Sequence, residues 1–436
     1  MGNRFKISKY ITTFQLTRGF FAALLASAYL YLAWIGWSHP MPNTIAAILA
    51  LYLLLSGNKK VWMVSGFFIG IFWFWWIMMS FRLYGFPWAI PIGILLMALV
   101  YALLFWAAAV LSEQIEKKFH LPSLWIKALF LLTVSMIHPF GFDWFKPELM
   151  FVESYLGIEK WRFAIILFAI LLMILKQKLF YLLMIVFAYQ PTVTAQKKPD
   201  AFQAIELVTT YIPIDKKWDP EMLSMQIDLL FQKIDEAIQK KKKHIIFPES
   251  ILPLFLNKEQ KLLEDLRKKS HAIAIVMGAL KWDESVPRNS TYIFQKGEML
   301  IADKVILVPF GESNPLPDWL SHWVNKIFYD GAIDYKASAA ISDYTLDGKT
   351  YRNAICYEAC SEELYIGKPK QMIVLSNNGW FTPSIEPTQQ RLLLQYYSRK
   401  YGTTIYHSIN MSPSYVIQKG KVIWKDYRTK RKNPEK

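Results

Sequence analysis

Three short stretches place reactive side chains at the ends of apolar runs: RNAICYEAC at 352–360, HIIFPES at 244–250 and ADKVILVPFGE at 302–312. They supply a thiol, carboxylates and a lysine. Cysteine chemistry runs through the thiolate, which needs a base to take its proton and a cation to hold the oxyanion that develops on its target. A buried, inert cysteine is the commoner fate of this residue type. Cys356 is set apart because Tyr357 and Glu358 follow it at the end of an apolar run, where strand ends open onto sites. Glu249 follows Pro248 directly after His244–Phe247, an awkward place for a merely solvated glutamate. Among 50 basic residues, Lys304 draws its weight from the motif around it. Glu312 has two open readings, a carboxylate that holds Lys304 or a lid, and a loop cap.

Other chemistries find little support. The seven histidines are scattered, with no HxxxH or HExxH, and Cys356 and Cys360 lie only four residues apart. Neither a metal site nor a disulfide framework is expected. There is no glycine-rich phosphate loop and no nucleic-acid motif, so no cofactor is expected either.

The elements that must carry these residues fall into two unlike halves. Of 436 residues, 53% are hydrophobic and 16% aromatic, too apolar for an ordinary soluble protein. Uncharged apolar stretches run through 20–38, 41–56, 61–81, 83–112 and 128–142, with shorter ones at 163–175 and 179–190. Several approach the roughly 20 residues a helix needs to cross a bilayer. Residues 1–190 are therefore read as a transmembrane helical domain of about seven spans, with 163–190 forming either two short spans or one re-entrant hairpin. Ala26-Ser27-Ala28 looks like a signal-peptide cleavage site, but the apolar run before it is short and continues to Trp37, so an uncleaved first span is expected. Arg4, Lys6 and Lys9 precede the first span, while Lys59-Lys60, Lys117-Lys118 and Lys176 with Lys178 follow the second, fourth and sixth. This asymmetry puts those loops in the cytoplasm and delivers the second half to the outside. The formal charge of +16 comes partly from these loops and partly from Lys240–Lys243, Arg267–Lys269 and Lys425–Lys436, as suits a surface beside anionic headgroups.

From about residue 200 the rhythm changes to short apolar runs between polar helices. Gln203–Thr209, His244–Pro248, Ile273–Leu280, Thr291–Phe294, Val305–Val308, Asn353–Cys356, Met372–Ser376 and Ile405–Ile409 read as strands. A helix is expected over 220–243, capped by Asp219 with Pro220 in its first position. Further helices are expected over 258–270 and 386–401. The pattern predicts a layered α/β domain over 201–436, behind a linker at 191–200 that carries Pro191 and Pro199.

At this point the residues resemble a known family. Gly66–Trp76 and Pro139–Trp144, then FPES, KVILVPFGE, ICYE and SNNGWF (376–381), are similar in kind and order to the apolipoprotein N-acyltransferase family, bacterial membrane enzymes with a nitrilase-superfamily catalytic domain. The resemblance covers nearly the whole chain. It implies an αββα sandwich, a catalytic triad on Glu249, Lys304 and Cys356, and support from Glu312, Tyr357 and Glu358. It also implies transfer of a fatty acyl chain from a membrane phospholipid, through a cysteine thioester, to the N-terminal amine of a diacylglyceryl-modified apolipoprotein. The expected setting is the bacterial inner membrane, with the catalytic domain periplasmic and the protein monomeric. A membrane-tethered nitrilase-type amidase, using water in the second step, is the alternative. A transporter would carry ionisable residues within its spans, and the long spans are nearly devoid of them.

Two stretches depart from the family pattern. The chain ends in KDYRTKRKNPEK rather than a further span, so its C-terminus is expected beside the catalytic domain. YHSINMS at 406–412 replaces the usual Arg followed by Asn-x-Gly, with His407 at the Arg position. Lids are expected around 310–335 and 378–388, with Trp319, Trp323, Phe328, Trp380 and Phe381 meeting the membrane surface.

Overall fold

Helices account for the first part of the chain and paired sheets for the second. In the computed structural model they form two compact units, Met1–His138 with Phe145–Thr192, and Pro139–Trp144 with Val193–Lys436. The structure describes residues 11–138, 141–190, 204–309, 311–313 and 334–426. The expected linker at 191–200, the basic residues Arg4, Lys6 and Lys9, the lid aromatics Trp319, Trp323 and Phe328, and the tail from 427 lie outside these residues.

The first unit contains α1 (Thr13–Trp34), α2 (Pro40–Leu55), α3 (Lys59–Phe74), α4 (Ile90–Phe119), α5 (Ser123–Thr133) and α6 (Lys160–Lys176). Three helical stretches, Thr13–Trp34, Lys59–Arg82 and Pro87–Phe119, are long and apolar enough to cross a membrane. Pro40–Leu55, Ser123–Met136 and Leu179–Ala188 are apolar but shorter. Leu179–Ala188 is a 3₁₀ helix; at about 2 Å per residue it reaches about 20 Å, less than the roughly 30 Å hydrocarbon core. Without water to drive them together, apolar helices associate through close packing at small residues. Gly66 and Gly70, four apart on α3, provide it: a Cβ at Gly66 would come 2.3 Å from Tyr101 O, and one at Gly70 2.8 Å from Met97 O.

The second unit is a sandwich of two mixed sheets. One has the order β1 (Ile205–Leu207), β3 (His244–Ile246), β5 (Ala274–Asp283), β6 (Val286–Gln295), β7 (Glu298–Asp303), with β4 (Leu252–Phe255) also on β5. The other runs β13 (Lys421–Lys425), β12 (Tyr415–Gln418), β11 (Thr404–Asn410), β10 (Gln371–Asn377), β9 (Lys349–Ile355), β8 (Asp343–Leu346), with β2 (Thr209–Thr210) on β11. Ile246, Val276, Ile293 and Ala302 of the first sheet and Tyr351, Ile373, Leu375 and Tyr406 of the second share one buried core. The other face of the first sheet packs on α8 (Leu223–Gln239) and α9 (Gln260–Lys269), which follow the short α7 (Ile214–Lys217). Against the second sheet lies α10 (Glu386–Tyr401). The layering is αββα, as expected.

Two expectations are corrected. Val305–Val308 is not a strand; β7 ends at Asp303. The N–H groups of Val305 and Ile306 go to the Glu358 carboxylate and that of Val308 to Glu312, so they are not available to a ladder. The helix expected to run to 243 stops at Gln239, and Lys241 takes a φ of +55°. Asp219 does cap this region, but onto a 3₁₀ turn, Pro220–Met222, that leads into α8.

His407 is fully buried on β11, with Nε2 2.7 Å from Ser376 Oγ and its ring edge-on to Tyr415 at 4.9 Å. Burial pushes its pKa down to about 3, so the folded ring is neutral. Because the unfolded ring titrates near 6.5, this stabilisation is present above that pH and is lost as pH falls toward 3. We expect stability to drop by about 1.4 kcal/mol per unit below pH 6.5 from this residue alone. Thermal melts of the protein and of His407→Gln across that range check it, the variant giving the shallower dependence.

Candidate active site

Gly278, Asn289 and Lys304 lie on the sandwich-facing side of the first sheet, in register with Val276, Ile293 and Ala302. Asp303 anchors the end of β7, accepting from Ser290 Oγ at 2.7 Å and pairing with Lys281 at 2.9 Å. One residue further on, Lys304 N–H donates to Asn289 O at 2.9 Å, which sets the two side chains opposite each other. Glu249 follows β3 in a tight turn, with Ser250 at a φ of +45°. The turn lies directly on β5, where a Cβ at Gly278 would come 2.7 Å from Glu249 Cα; only glycine allows that approach.

The side chains then converge. Asn289 Nδ2 donates to Glu249 Oε1 at 2.7 Å and to Glu312 Oε1 at 2.9 Å. Glu312 Oε2 lies 2.7 Å from Lys304 Nζ and also accepts from Val308 N–H. Nζ makes this close ion pair without an aligned hydrogen bond, which leaves donor capacity on the buried ammonium. Buried Lys217 donates from Nζ to Glu249 O at 3.0 Å and fixes the turn from behind.

Cys356 comes from the second sheet. It directly follows β9 and opens a 3₁₀ turn, Cys356–Cys360, with a φ of +54°. A non-glycine residue there is strained by about 1–2 kcal/mol, and such strain collects at functional sites. Glu358 in the same turn accepts from Ile355 N–H at 2.7 Å, Val305 N–H at 2.7 Å and Ile306 N–H at 3.0 Å. It thereby ties the cysteine turn to the segment after Lys304. Tyr357 stacks on Phe142 and Trp144, donates to Gly141 O at 3.1 Å and accepts from Asp143 N–H at 3.2 Å. Cys360 is buried, and its sulfur lies 4.0 Å from Gln390 O.

Electrostatics follow from one cation among several acids. Burial raises the Glu249 pKa, Lys304 opposes the shift and Glu312 adds to it, which makes Glu249 a stronger base than a solvated glutamate. Burial alone would lower Lys304, but Glu312, Glu249, Cys356 and Glu358 together hold its ammonium above the usual value. Burial, with Glu249 nearby, pushes the Cys356 thiol well up, and Lys304 pulls it back. The resting thiol is therefore protonated beside a base and a cation. That arrangement suits attack coupled to proton transfer.

All six residues singled out in the sequence, Glu249, Lys304, Glu312, Cys356, Tyr357 and Glu358, belong to this unit. Glu249, Lys304, Glu312 and Glu358 form one linked set with the Cys356 turn, while Tyr357 turns away to hold Gly141–Trp144. Asn289, Lys217, Glu386 and Gln390 were missed. The signal for Asn289 is the polar run Asn289-Ser290-Thr291 entering an apolar strand, where all three are buried.

An αββα unit with a thiol, a base and a buried ammonium at its strand ends is the framework of a cysteine-dependent enzyme. The family model described as apolipoprotein N-acyltransferase integral membrane domain matches residues 13–192. An apolipoprotein N-acyltransferase from Wolinella succinogenes is 42% identical over 91% of this chain and 94% of its own. One from Helicobacter pylori is 35% identical over 86% of this chain and 87% of its own. Among solved structures, a Nesterenkonia amidase of the nitrilase superfamily is similar over 51% of this chain and 84% of its own, with 13% identity and a TM-score of 0.39. This chain belongs to the apolipoprotein N-acyltransferase family.

The geometry makes a reactivity prediction that needs no substrate. Iodoacetamide should alkylate Cys356 and leave Cys360 unreacted. In Lys304→Met the rate at Cys356 should fall, because the cation that pulls the thiol pKa down is gone. Peptide mapping of the alkylated protein reads both.

Proposed function

We propose that this protein transfers a fatty acyl chain from a phospholipid to the N-terminal amine of a diacylglyceryl-modified lipoprotein. The observation that carries the reading is Cys356 in a strained turn, tied through Glu358 to Lys304 and accompanied by Glu249. In this reading residues 1–190 form the membrane domain and 201–436 the catalytic domain. The basic loop asymmetry supports an inner-membrane protein whose catalytic domain is periplasmic. We take the working form to be a monomer.

Glu249 accepts the Cys356 thiol proton as sulfur attacks the phospholipid ester carbonyl, and Lys304 holds the oxyanion. The ester C–O bond breaks, the glycerol oxygen takes the proton from Glu249, and a lysophospholipid leaves. The thioester is then attacked by the acceptor amine. Glu249 takes a proton from nitrogen, the C–S bond breaks, and the thiolate recovers that proton. Glu312 and Asn289 position Glu249 and Lys304, Glu358 positions Lys304 against the thiol, and Tyr357 anchors the turn.

Phospholipid alone should give a burst of about one lysophospholipid per enzyme, because the thioester waits for an amine. A diacylglyceryl-cysteinyl peptide with a free amine should restore turnover, and an N-blocked one should not. Asn289→Leu should slow the burst by about 10–100-fold, the effect of losing a hydrogen bond to a charged group. Continuous hydrolysis without an acceptor would replace this reading with that of an amidase or lipase.

A further inference from the structure

Three buried polar side chains, Glu386, Gln390 and Tyr415, lie in the neighbourhood of Cys356, on the face of the second sheet that α10 covers. Glu386 is the first residue of α10 and Gln390 lies one turn on, so the two share a helix face. That helix packs on the Cys356–Cys360 turn, and Gln390 Nε2 is 4.0 Å from Cys356 Sγ. Glu386 and Gln390 are 2% and 1% exposed, and Tyr415 on β12 is 3% exposed. Yet Glu386 Oε2, Gln390 Oε1 and Tyr415 OH have no protein hydrogen-bond partner among the described residues. The charge of Glu386 acts on Cys356 and on Tyr415, and that of Glu249 acts on Glu386, so these groups lie within electrostatic reach of one another.

Buried polar atoms in native proteins are nearly always paired, and a cluster of unpaired ones next to a nucleophile calls for a partner. An ionised carboxylate and an amide oxygen accept and do not donate. The group they fit is small and rich in N–H donors.

We propose that Glu386 and Gln390 form the subsite for the primary amine of the acyl acceptor, with Glu386 taking the proton of its ammonium form. The proposal rests on the acyl-transfer reading above and adds the step that reading lacks. At a thioester the amine must be neutral, whereas the free acceptor is largely ammonium. The ammonium passes one proton to the Glu386 carboxylate, and the freed nitrogen lone pair attacks the thioester carbonyl. Its second proton goes to Glu249 as the C–S bond breaks, and Glu386 later releases its proton to solvent. Burial, with Glu249 close by, pushes the Glu386 pKa up to about 8. A peptide α-amine titrates at about 7.7–8.0, so the transfer is nearly balanced. Gln390 Oε1 accepts another N–H and aims the nitrogen at the carbon on Sγ.

The test separates the two half-reactions. Full-length protein in phospholipid vesicles is followed by mass spectrometry for an acyl adduct on Cys356, then given either the diacylglyceryl-cysteinyl peptide or hydroxylamine. Hydroxylamine is a neutral nucleophile and needs no proton removed before attack. Glu386→Gln and Gln390→Met should both still acquire the adduct, which also shows that each is folded. The peptide should clear it about 100-fold or more slowly from Glu386→Gln, and more slowly from Gln390→Met, while hydroxylamine clears it at the unsubstituted rate. Peptide clearance at the unsubstituted rate in both variants would overturn the subsite. So would equal slowing with hydroxylamine, or loss of the adduct in the variants alone. Absence of the adduct in the unsubstituted protein would instead remove the acyl-transfer reading itself.

Discussion

The carboxylate of Glu358 is the contact on which the rest of the site depends. Lys304 follows a strand of one sheet and Cys356 a strand of the other. Nothing in strand pairing alone brings them together. Glu358 accepts one N–H from its own turn and two from the segment after Lys304, and so closes the gap between the sheets. Hydrogen bonds to a charged acceptor contribute about 1.5–3 kcal/mol each, enough to hold Cys356 at its strained φ. Burial raises the Glu358 pKa to about 7, while Lys304 and the three N–H groups oppose that shift. The staple is therefore strongest when the carboxylate is charged.

The site is a crowded set of acids around one cation. Glu249, Glu312 and Glu358 all act on Lys304, and Glu386 stands behind the thiol. Burial raises the pKa values of Glu249, Glu358 and Glu386, and Lys304 opposes the shift at Glu249 and Glu358. A raised pKa makes an ionised Glu249 more basic toward a neighbouring thiol than a solvated glutamate. Asn289 keeps Glu249 and Glu312 apart while donating to both, a role that needs its two-donor amide.

Much of this was legible in the sequence because chemistry and strand ends coincide. FPES and ICYE each put a reactive residue just past an apolar run, and those runs became β3 and β9, whereas β7, which leads to Lys304, was not anticipated. Where the reading failed, side chains had overridden propensity. Val305–Val308 looks like a buried strand, yet its amides are claimed by two carboxylates. β8, β12 and β13 were not anticipated because they are short and mix polar with apolar residues. Asn289 and Glu386 carry no motif; their importance comes from what the fold places beside them. His407 packs against Ser376 and Tyr415, and burial holds its pKa down so that the ring is neutral.

The central claim is that Cys356 is the atom that carries the acyl group. Purified protein exposed to phospholipid, digested and mapped by mass spectrometry, tests it most directly. The account predicts one hydroxylamine-labile acyl group on the peptide containing Cys356, and none in Cys356→Ala, while Cys360→Ala still acquires it. An acyl group that persists in Cys356→Ala, or that disappears only in Cys360→Ala, would contradict it.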